Sequence, residues 1–101
     1  AWFAHIPGLK VVMPAFPSDA KALLIEAIAD DNPVLFIEHR WLHGTRGDVQ
    51  KGLIRQSFGV CNVVRRGKDI TLVACSFMVL EALRVAEWLD GYDIIRGSKS
   101  A

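Results

Sequence analysis

Residues 9–39 have the order strand, helix, strand and read LKVVMPAFPSDAKALLIEAIADDNPVLFIEH. Residues 9–13 form a short β-branched run closed by Pro14, and residues 34–39 form a second continuous apolar run, so both are predicted as buried strands. Between them, apolar residues recur at helical spacing, which predicts a helix with one buried face made by Ala20, Leu23, Leu24, Ala27 and Ile28. Strands that are apolar on both faces and joined by a helix predict an α/β fold, with parallel sheets and covering helices.

The two ends of this helix carry distinct signals. Ser18 is a favourable N-cap and Asp19 suits the first turn, where the helix dipole is positive. Pro33 disfavours the helical conformation at the preceding residue, which predicts the end of the helix near residues 30–32. Asp30 and Asp31 add negative charge to the negative end of the dipole. Two explanations stay open: a solvated turn, or a cation held by terminal carbonyl groups and one carboxylate.

The second half of the chain changes in character after residue 40. Residues 41–57 contain three glycines and mixed charges, which predicts an exposed connection with a domain boundary near residues 48–53. Residues 59–64 and 70–75 are predicted as strands that form a hairpin across Gly67. Residues 76–91 are predicted as a helix, and residues 92–97 as the start of a further strand. The helix is expected to bury a stripe made by Val79, Leu80, Leu83, Ala86 and Trp88.

Composition restricts the class of protein. The chain has 101 residues, of which 51% are hydrophobic, and a formal net charge of +1. This balance argues against a disordered chain and against a strongly basic nucleic-acid binder. No apolar run reaches the ~20 residues of a membrane span. Cys61 and Cys75 form no metal or redox motif and lie in apolar runs, so we expect free thiols in a reducing, cytoplasmic setting.

No short motif in the sequence indicates a specific catalytic or cofactor site. His39 and His43 are four residues apart, but they follow a predicted strand and lack the closed set of four ligands that structural zinc requires. His5 precedes a Pro-Gly turn, where a packed or hydrogen-bonded role is favoured over a catalytic one. The sequence contains no dinucleotide fingerprint, P-loop or nucleophile elbow.

Three longer stretches resemble one known family. They are AWFAHIPGLKVVMP, DAKALLIEAIADDNPVLFIEH and VVRRGKDITLVACSFMVLEALRVAEWL. Together they resemble the β subunit of the first component of 2-oxoacid dehydrogenase complexes, which includes pyruvate, branched-chain 2-oxoacid and acetoin dehydrogenases. These enzymes are transketolase-like and depend on thiamine diphosphate. The resemblance covers nearly the whole chain and is weakest in residues 41–57 and in the last residues.

The resemblance implies a two-domain organisation. Residues 1–50 would be the C-terminal part of the pyrimidine-binding domain, and residues 53–101 the N-terminal part of the transketolase C-terminal-like domain. The family's activating glutamate, its stacking aromatic and its HSQ motif have no counterpart here, and its diphosphate- and magnesium-binding motif belongs to the α subunit. We therefore expect an internal fragment that is inactive alone and that associates with itself or with another subunit.

The resemblance also implies the chemistry of the complete enzyme. That enzyme would oxidatively decarboxylate a 2-oxoacid and transfer the acyl unit to a lipoyl group, using thiamine diphosphate with magnesium in the full assembly. Its partners would be the α subunit, a second β subunit and the lipoyl-bearing acyltransferase component, with no nucleic acid and no membrane. Two alternatives stay open: a transketolase or deoxyxylulose-phosphate synthase-like protein, or a non-catalytic subunit-interaction module. The HIPGLKVVMP stretch favours the dehydrogenase.

A structural potassium site is implied residue by residue. The family pattern Ala-Ile-x-Asp-x-Asn stands here as Ala27, Ile28, Asp30 and Asn32. The resemblance assigns the ligands to carbonyl groups of the first residues and to the aspartate.

Two further positions are implied near the entrance of the active site. Trp2 and His5 match family positions beside that entrance and a subunit contact, so they are candidates for support rather than for direct catalysis. The resemblance assigns no catalytic residue and no direct cofactor ligand to this chain.

Overall fold

The computed structural model describes residues 1–90, and its centre is a parallel β–α–β unit. This unit consists of β1 (Lys10–Val12), α1 (Pro17–Ala29) and β2 (Val34–Phe36). The two strands pair in parallel, with Lys10 opposite Val34 and Val12 opposite Phe36. The predicted order of elements and the parallel pairing are therefore confirmed for residues 9–39.

Helix α1 begins and ends where local chemistry permits. Pro17 occupies the first turn, where its fixed φ angle suits a helix and its missing N–H group costs no hydrogen bond. The Asp19 carboxylate accepts a hydrogen bond from the Phe16 N–H at 3.3 Å. Phe16, rather than the predicted Ser18, is thus the N-cap, because the helix begins at Pro17, two residues earlier than an N-cap at Ser18 implies. At the other end, Asp30 is extended, with φ −86° and ψ 133°.

Much of the apolar surface of α1 is uncovered. Among residues 1–90, the buried apolar residues are Pro14 and Ala22, and Ala22, at 7% exposure, is the one that lies on α1. Leu24 and Ile28 were predicted to be buried, but they are 46% and 78% exposed. The physical reason is the width of the sheet, because two strands of three residues cannot cover the broad apolar stripe of a three-turn helix.

The second half contains less regular structure than the sequence predicts. A 3₁₀ turn at Arg40–Leu42 follows β2, and the next element is α2 (Phe77–Asp90). The strands predicted at residues 59–64 and 70–75, and their hairpin across Gly67, are wrong, because both segments are exposed irregular chain. A strand requires a hydrogen-bonded neighbour, and β1 and β2 pair only with each other within residues 1–90. The strand predicted at residues 92–97 lies outside the described residues.

Helix α2 confirms the predicted helix but not its buried stripe. Trp88 is 60% exposed. The other members of the stripe are only half-buried, namely Val79, Leu80, Leu83 and Ala86. The start of α2 contacts the segment that follows β2 through aromatic rings. The Phe77 ring stacks on His39 with centroids 4.9 Å apart, and it meets Trp41 edge-on at 5.1 Å.

Within residues 1–90, neither helix has the length and apolar character needed to cross a bilayer.

Cys61 and Cys75 are free thiols, as expected, but both are exposed rather than packed as small apolar residues. Their exposure follows from the absence of the two strands that were predicted to carry them.

Candidate functional site

The most connected polar cluster lies at the C-terminal end of α1. The Asp30 side chain is only 12% exposed, and its Oδ2 atom accepts a hydrogen bond from the Lys10 ammonium group of β1. Its Oδ1 atom accepts two further bonds, from the backbone N–H and from the side-chain amide of Asn32, each at 2.8 Å. One carboxylate therefore joins β1, the end of α1 and the turn into β2.

These contacts stabilise the charged form of Asp30. The hydrogen bond from Lys10 is the largest cause, followed by the two from Asn32, and together they lower the pKa of Asp30 to about 2. A carboxyl group whose pKa is lower in the folded chain stabilises the fold at pH values above its unfolded pKa. This stabilisation is lost as the pH falls toward the folded pKa. Asp30 is thus a permanent negative charge near neutral pH.

The structure brings together the four residues that the resemblance marks for potassium. Ala27 and Ile28 lie in the last turn of α1, where carbonyl groups lack intrahelical partners. Asp30 and Asn32 follow within the next turn of chain and are hydrogen-bonded to each other. The backbone oxygens suit a hard cation. The Asp30 carboxylate is less free to bind a cation, because both of its oxygens already accept hydrogen bonds, from Lys10 and from Asn32.

The structure places Trp2 and His5 apart from this cluster, in the turns that precede β1. The Trp2 side chain is 84% exposed. The His5 Nδ1 atom lies 3.1 Å from the carbonyl oxygen of Ala1, which can only accept a hydrogen bond, so Nδ1 donates. Both side chains are open to solvent and available for contact with another surface.

Sequence reasoning missed a small cleft beyond the carboxyl ends of β1 and β2. Its volume is about 190 Å³, and Pro14, Phe16, Glu38, His39 and His43 line part of it. Ligands of open α/β sheets commonly bind at this edge. The two histidines have different partners: the His43 Nε2 atom lies 3.3 Å from a Glu38 oxygen, and His39 Nδ1 accepts the Trp41 N–H at 3.3 Å. No group of three or more metal-binding side chains occurs in the described part of the chain.

A larger cleft of about 500 Å³ lies between α1 and residues 48–56. The Lys21 ammonium group donates to the carbonyl oxygen of Gln50 at 2.5 Å. Arg55 Nε donates to Glu26 at 2.6 Å, and this contact raises the pKa of Arg55 above its ordinary value. These two bonds attach the irregular connection to α1, so the connection follows the helix rather than extending freely into solvent.

Ser76, immediately before α2, combines two costly features. Its φ angle of 53° is in the left-handed region, which a residue with a Cβ atom adopts at a cost. Its side chain is 3% exposed, and its hydroxyl oxygen has no hydrogen-bond partner within residues 1–90. Nothing in the sequence pattern around Ser76 predicts either feature.

Comparison with known proteins gives matches in two ranges. The family "Transketolase, pyrimidine binding domain" matches residues 1–45, which include all of the β–α–β unit. Similarity to individual proteins extends well beyond residue 45. No solved structure matches the chain.

Three relatives illustrate the wider similarity. The acetoin:2,6-dichlorophenolindophenol oxidoreductase subunit beta of Cupriavidus necator is 51% identical over 87 residues, which cover 86% of this chain and 26% of that protein. The pyruvate dehydrogenase E1 component subunit beta of Rickettsia conorii is 42% identical over 94 residues, covering 93% of the chain and 29% of that protein. The corresponding subunit of Staphylococcus epidermidis is 44% identical over 94 residues, covering 90% and 29%.

These matches agree with the resemblance seen in the sequence and favour it over a transketolase. The chain spans between 26% and 29% of the length of these three relatives. Residues 1–45 match the transketolase pyrimidine-binding domain family, and most of the chain is similar to part of the β subunits of acetoin- and pyruvate dehydrogenase-type enzymes.

Proposed function

We propose that this chain serves as part of a thiamine-diphosphate-dependent 2-oxoacid dehydrogenase β subunit. The proposal is supported by two observations: the parallel β–α–β unit lies within the match to the pyrimidine-binding family, and similarity to the relatives extends beyond residue 45. In the complete enzyme, thiamine diphosphate would supply the carbanion chemistry of decarboxylation, and lipoyl would accept the acyl unit. The contribution of this segment is to build and orient the sheet that faces the cofactor.

Two domains are proposed, with residues 1–50 in the pyrimidine-binding domain and residues 53–101 in the transketolase C-terminal-like domain. The proposed boundary at residues 51–52 lies within residues 43–76, which contain no strand or helix, and this supports the division. The bonds from Lys21 to Gln50 and from Arg55 to Glu26 would then set the path of the chain between the domains.

The cofactor and its magnesium ion are proposed to bind in the full assembly only. The family resemblance assigns the ligands for magnesium to the α subunit. Trp2 and His5 are proposed to line the active-site entrance or a subunit contact, since both are exposed. The uncovered apolar side chains of α1 and α2 support docking to an α subunit, a second β subunit and a lipoyl-bearing acyltransferase.

A potassium ion is proposed at the C-terminal end of α1. Its ligands would be backbone carbonyl oxygens of Ala27 and Ile28, with Asp30 and Asn32 completing the site. The support is the negative end of the helix dipole and the unpartnered carbonyl groups of its last turn. Crystals of a β subunit that contains this segment, grown with rubidium or thallium(I), should show anomalous density there. Clean maps without such density would contradict the site.

A reducing, cytoplasmic setting is proposed on the basis of the two exposed free thiols. The transketolase alternative has no specific observation in its favour. The following experiment distinguishes a segment of a catalytic subunit from a non-catalytic interaction module.

A chimeric subunit tests the function directly. The matched segment of the Cupriavidus necator β subunit is replaced by this chain, and the chimera is assembled with the Cupriavidus necator α subunit. We expect retained acetoin-dependent reduction of dichlorophenolindophenol that requires added thiamine diphosphate. A control chimera with Ala22→Asp places a charge at the buried contact of α1 and should not assemble. A chimera that assembles normally but has no activity would contradict the catalytic proposal and favour a non-catalytic module.

A further inference from the structure

The start of α2 docks on a platform made by the rings of His39 and Trp41, whose centroids are 5.3 Å apart. His39 Nδ1 accepts the Trp41 N–H, and this bond fixes the imidazole at the head of the 3₁₀ turn. The Phe77 ring contacts both, stacked on His39 and edge-on to Trp41. Such aromatic pairs contribute more than their buried area alone. Phe77 therefore holds the first turn of α2 against the segment that follows β2.

The residue directly before Phe77 has an unfavourable conformation. The φ angle of Ser76 is 53°, where the Cβ atom crowds the backbone. Its hydroxyl group is buried and has no hydrogen-bond partner in the described part of the chain, which is a second cost. Strain of this kind persists only where surrounding contacts impose it. The contact that follows it in the chain is the docked ring of Phe77, and the φ angle of Ser76 sets the direction in which that ring leaves the backbone.

A second conformation of Ser76 removes both costs. Serine is a preferred N-cap, and with an extended backbone its hydroxyl accepts an N–H group of the second or third helical residue. Rotation of Ser76 into that conformation redirects the first turn of α2, so the Phe77 ring leaves the platform. At its other end α2 is held by an ion pair between Arg65 and Asp90. The helix would therefore swing about that end rather than detach from the chain.

We propose that Ser76 and Phe77 form a two-position latch for α2. In the docked position, Phe77 packs on the platform and Ser76 is left-handed with its hydroxyl unbonded. In the released position, Ser76 is extended and caps α2, and Phe77 has left the two rings. The ring contacts and the cap exclude each other, so the more stabilising of the two decides the position of the helix start. A ligand or subunit that covers the platform would shift the latch to the released position.

Urea unfolding of the full chain at one fixed protein concentration tests the latch. Ser76→Gly and Ser76→Ala are each made in the native chain, in Phe77→Leu and in Met78→Ala. Phe77→Leu retains an apolar side chain but has no ring to stack. Met78→Ala is the matched control, because Met78 is the next residue of α2, is 59% exposed and lies outside the ring contacts. Should Phe77→Leu not fold, Trp41→Leu removes an exposed ring of the same platform and gives the same comparison.

We expect Ser76→Gly to raise the folding equilibrium constant about 5- to 30-fold in the native chain and in Met78→Ala, because glycine adopts the left-handed conformation without crowding. In Phe77→Leu, Ser76→Gly should give no gain, and Ser76→Ala should lower the constant about 5-fold, because the capping hydroxyl is lost. Equal gains from Ser76→Gly in all three backgrounds would overturn the latch, since the strain would then be independent of the ring. A loss from Ser76→Gly in the native chain would also overturn it.

Discussion

The uncovered apolar surface predicts that the isolated chain associates with itself. A compact monomer of 11.2 kDa is expected to expose about 5,700 Å². The chain exposes 8376 Å², which is about 2,700 Å² more. Its radius of gyration is 16.7 Å, whereas a compact domain of this length has about 13 Å. The excess area exceeds the ~800 Å² per partner of a standard interface and is comparable to that of obligate complexes.

A single substitution on α1 probes this surface. Ile28 is 78% exposed and lies beside the exposed Leu24 one turn earlier. Burial of an isoleucine side chain contributes ~1.5–3 kcal/mol, so covering the exposed part of Ile28 is worth about 1–2 kcal/mol. Ile28→Lys should weaken association about 5- to 30-fold. The fold should tolerate the change, because a lysine at the C-terminal end of a helix interacts favourably with the dipole.

Sedimentation velocity over a dilution series through the micromolar range measures the effect. Ala29→Lys is the matched control, since it adds the same charge at the next, exposed position without removing a large apolar side chain. We expect the native chain and Ala29→Lys to form dimers or larger species and Ile28→Lys to dissociate at higher concentration. A native chain that stays monomeric throughout, or two variants that behave alike, would show that this surface drives no association.

Three further outcomes are expected. In the native chain, Asp30 should lose its contribution to the free energy of unfolding as the pH falls from about 4 to about 2, because its pKa is lowered to about 2. Asp30→Asn should therefore show a smaller decrease in the free energy of unfolding over this pH range, and unchanged acid unfolding curves would contradict this. Ser76→Gly should raise the free energy of unfolding in urea by about 1–2 kcal/mol, by relieving the left-handed strain and removing an unbonded hydroxyl group, and Ser76→Ala should raise it less; a loss of stability in both would reveal a partner for the hydroxyl. Calorimetric titration of the chain alone with thiamine diphosphate and magnesium should show no binding, and micromolar affinity would refute the assignment of the cofactor ligands to other parts of the assembly.

Local sequence determined the elements of residues 9–39. Two apolar β-branched runs, helical spacing between them, and prolines at positions 17 and 33 are local signals, and each acts through the conformation of its own backbone. The same applies to α2, whose helical spacing alone identifies residues 77–90. The resemblance also depends on sequence alone, and the matched relatives confirm it.

Contacts between distant segments were decided only in three dimensions. The runs at residues 59–64 and 70–75 have the composition of strands, yet a strand exists only when a neighbouring strand accepts its hydrogen bonds. Leu24 and Ile28 have the spacing of a core face, yet burial depends on the width of the sheet beneath them. The sequence signals for the Asp30 cluster were the adjacent carboxylates at the helix end and, in β1, a lysine within an apolar run. The partner of this lysine could not be identified from spacing, because 20 residues separate the two and the parallel register alone brings them together.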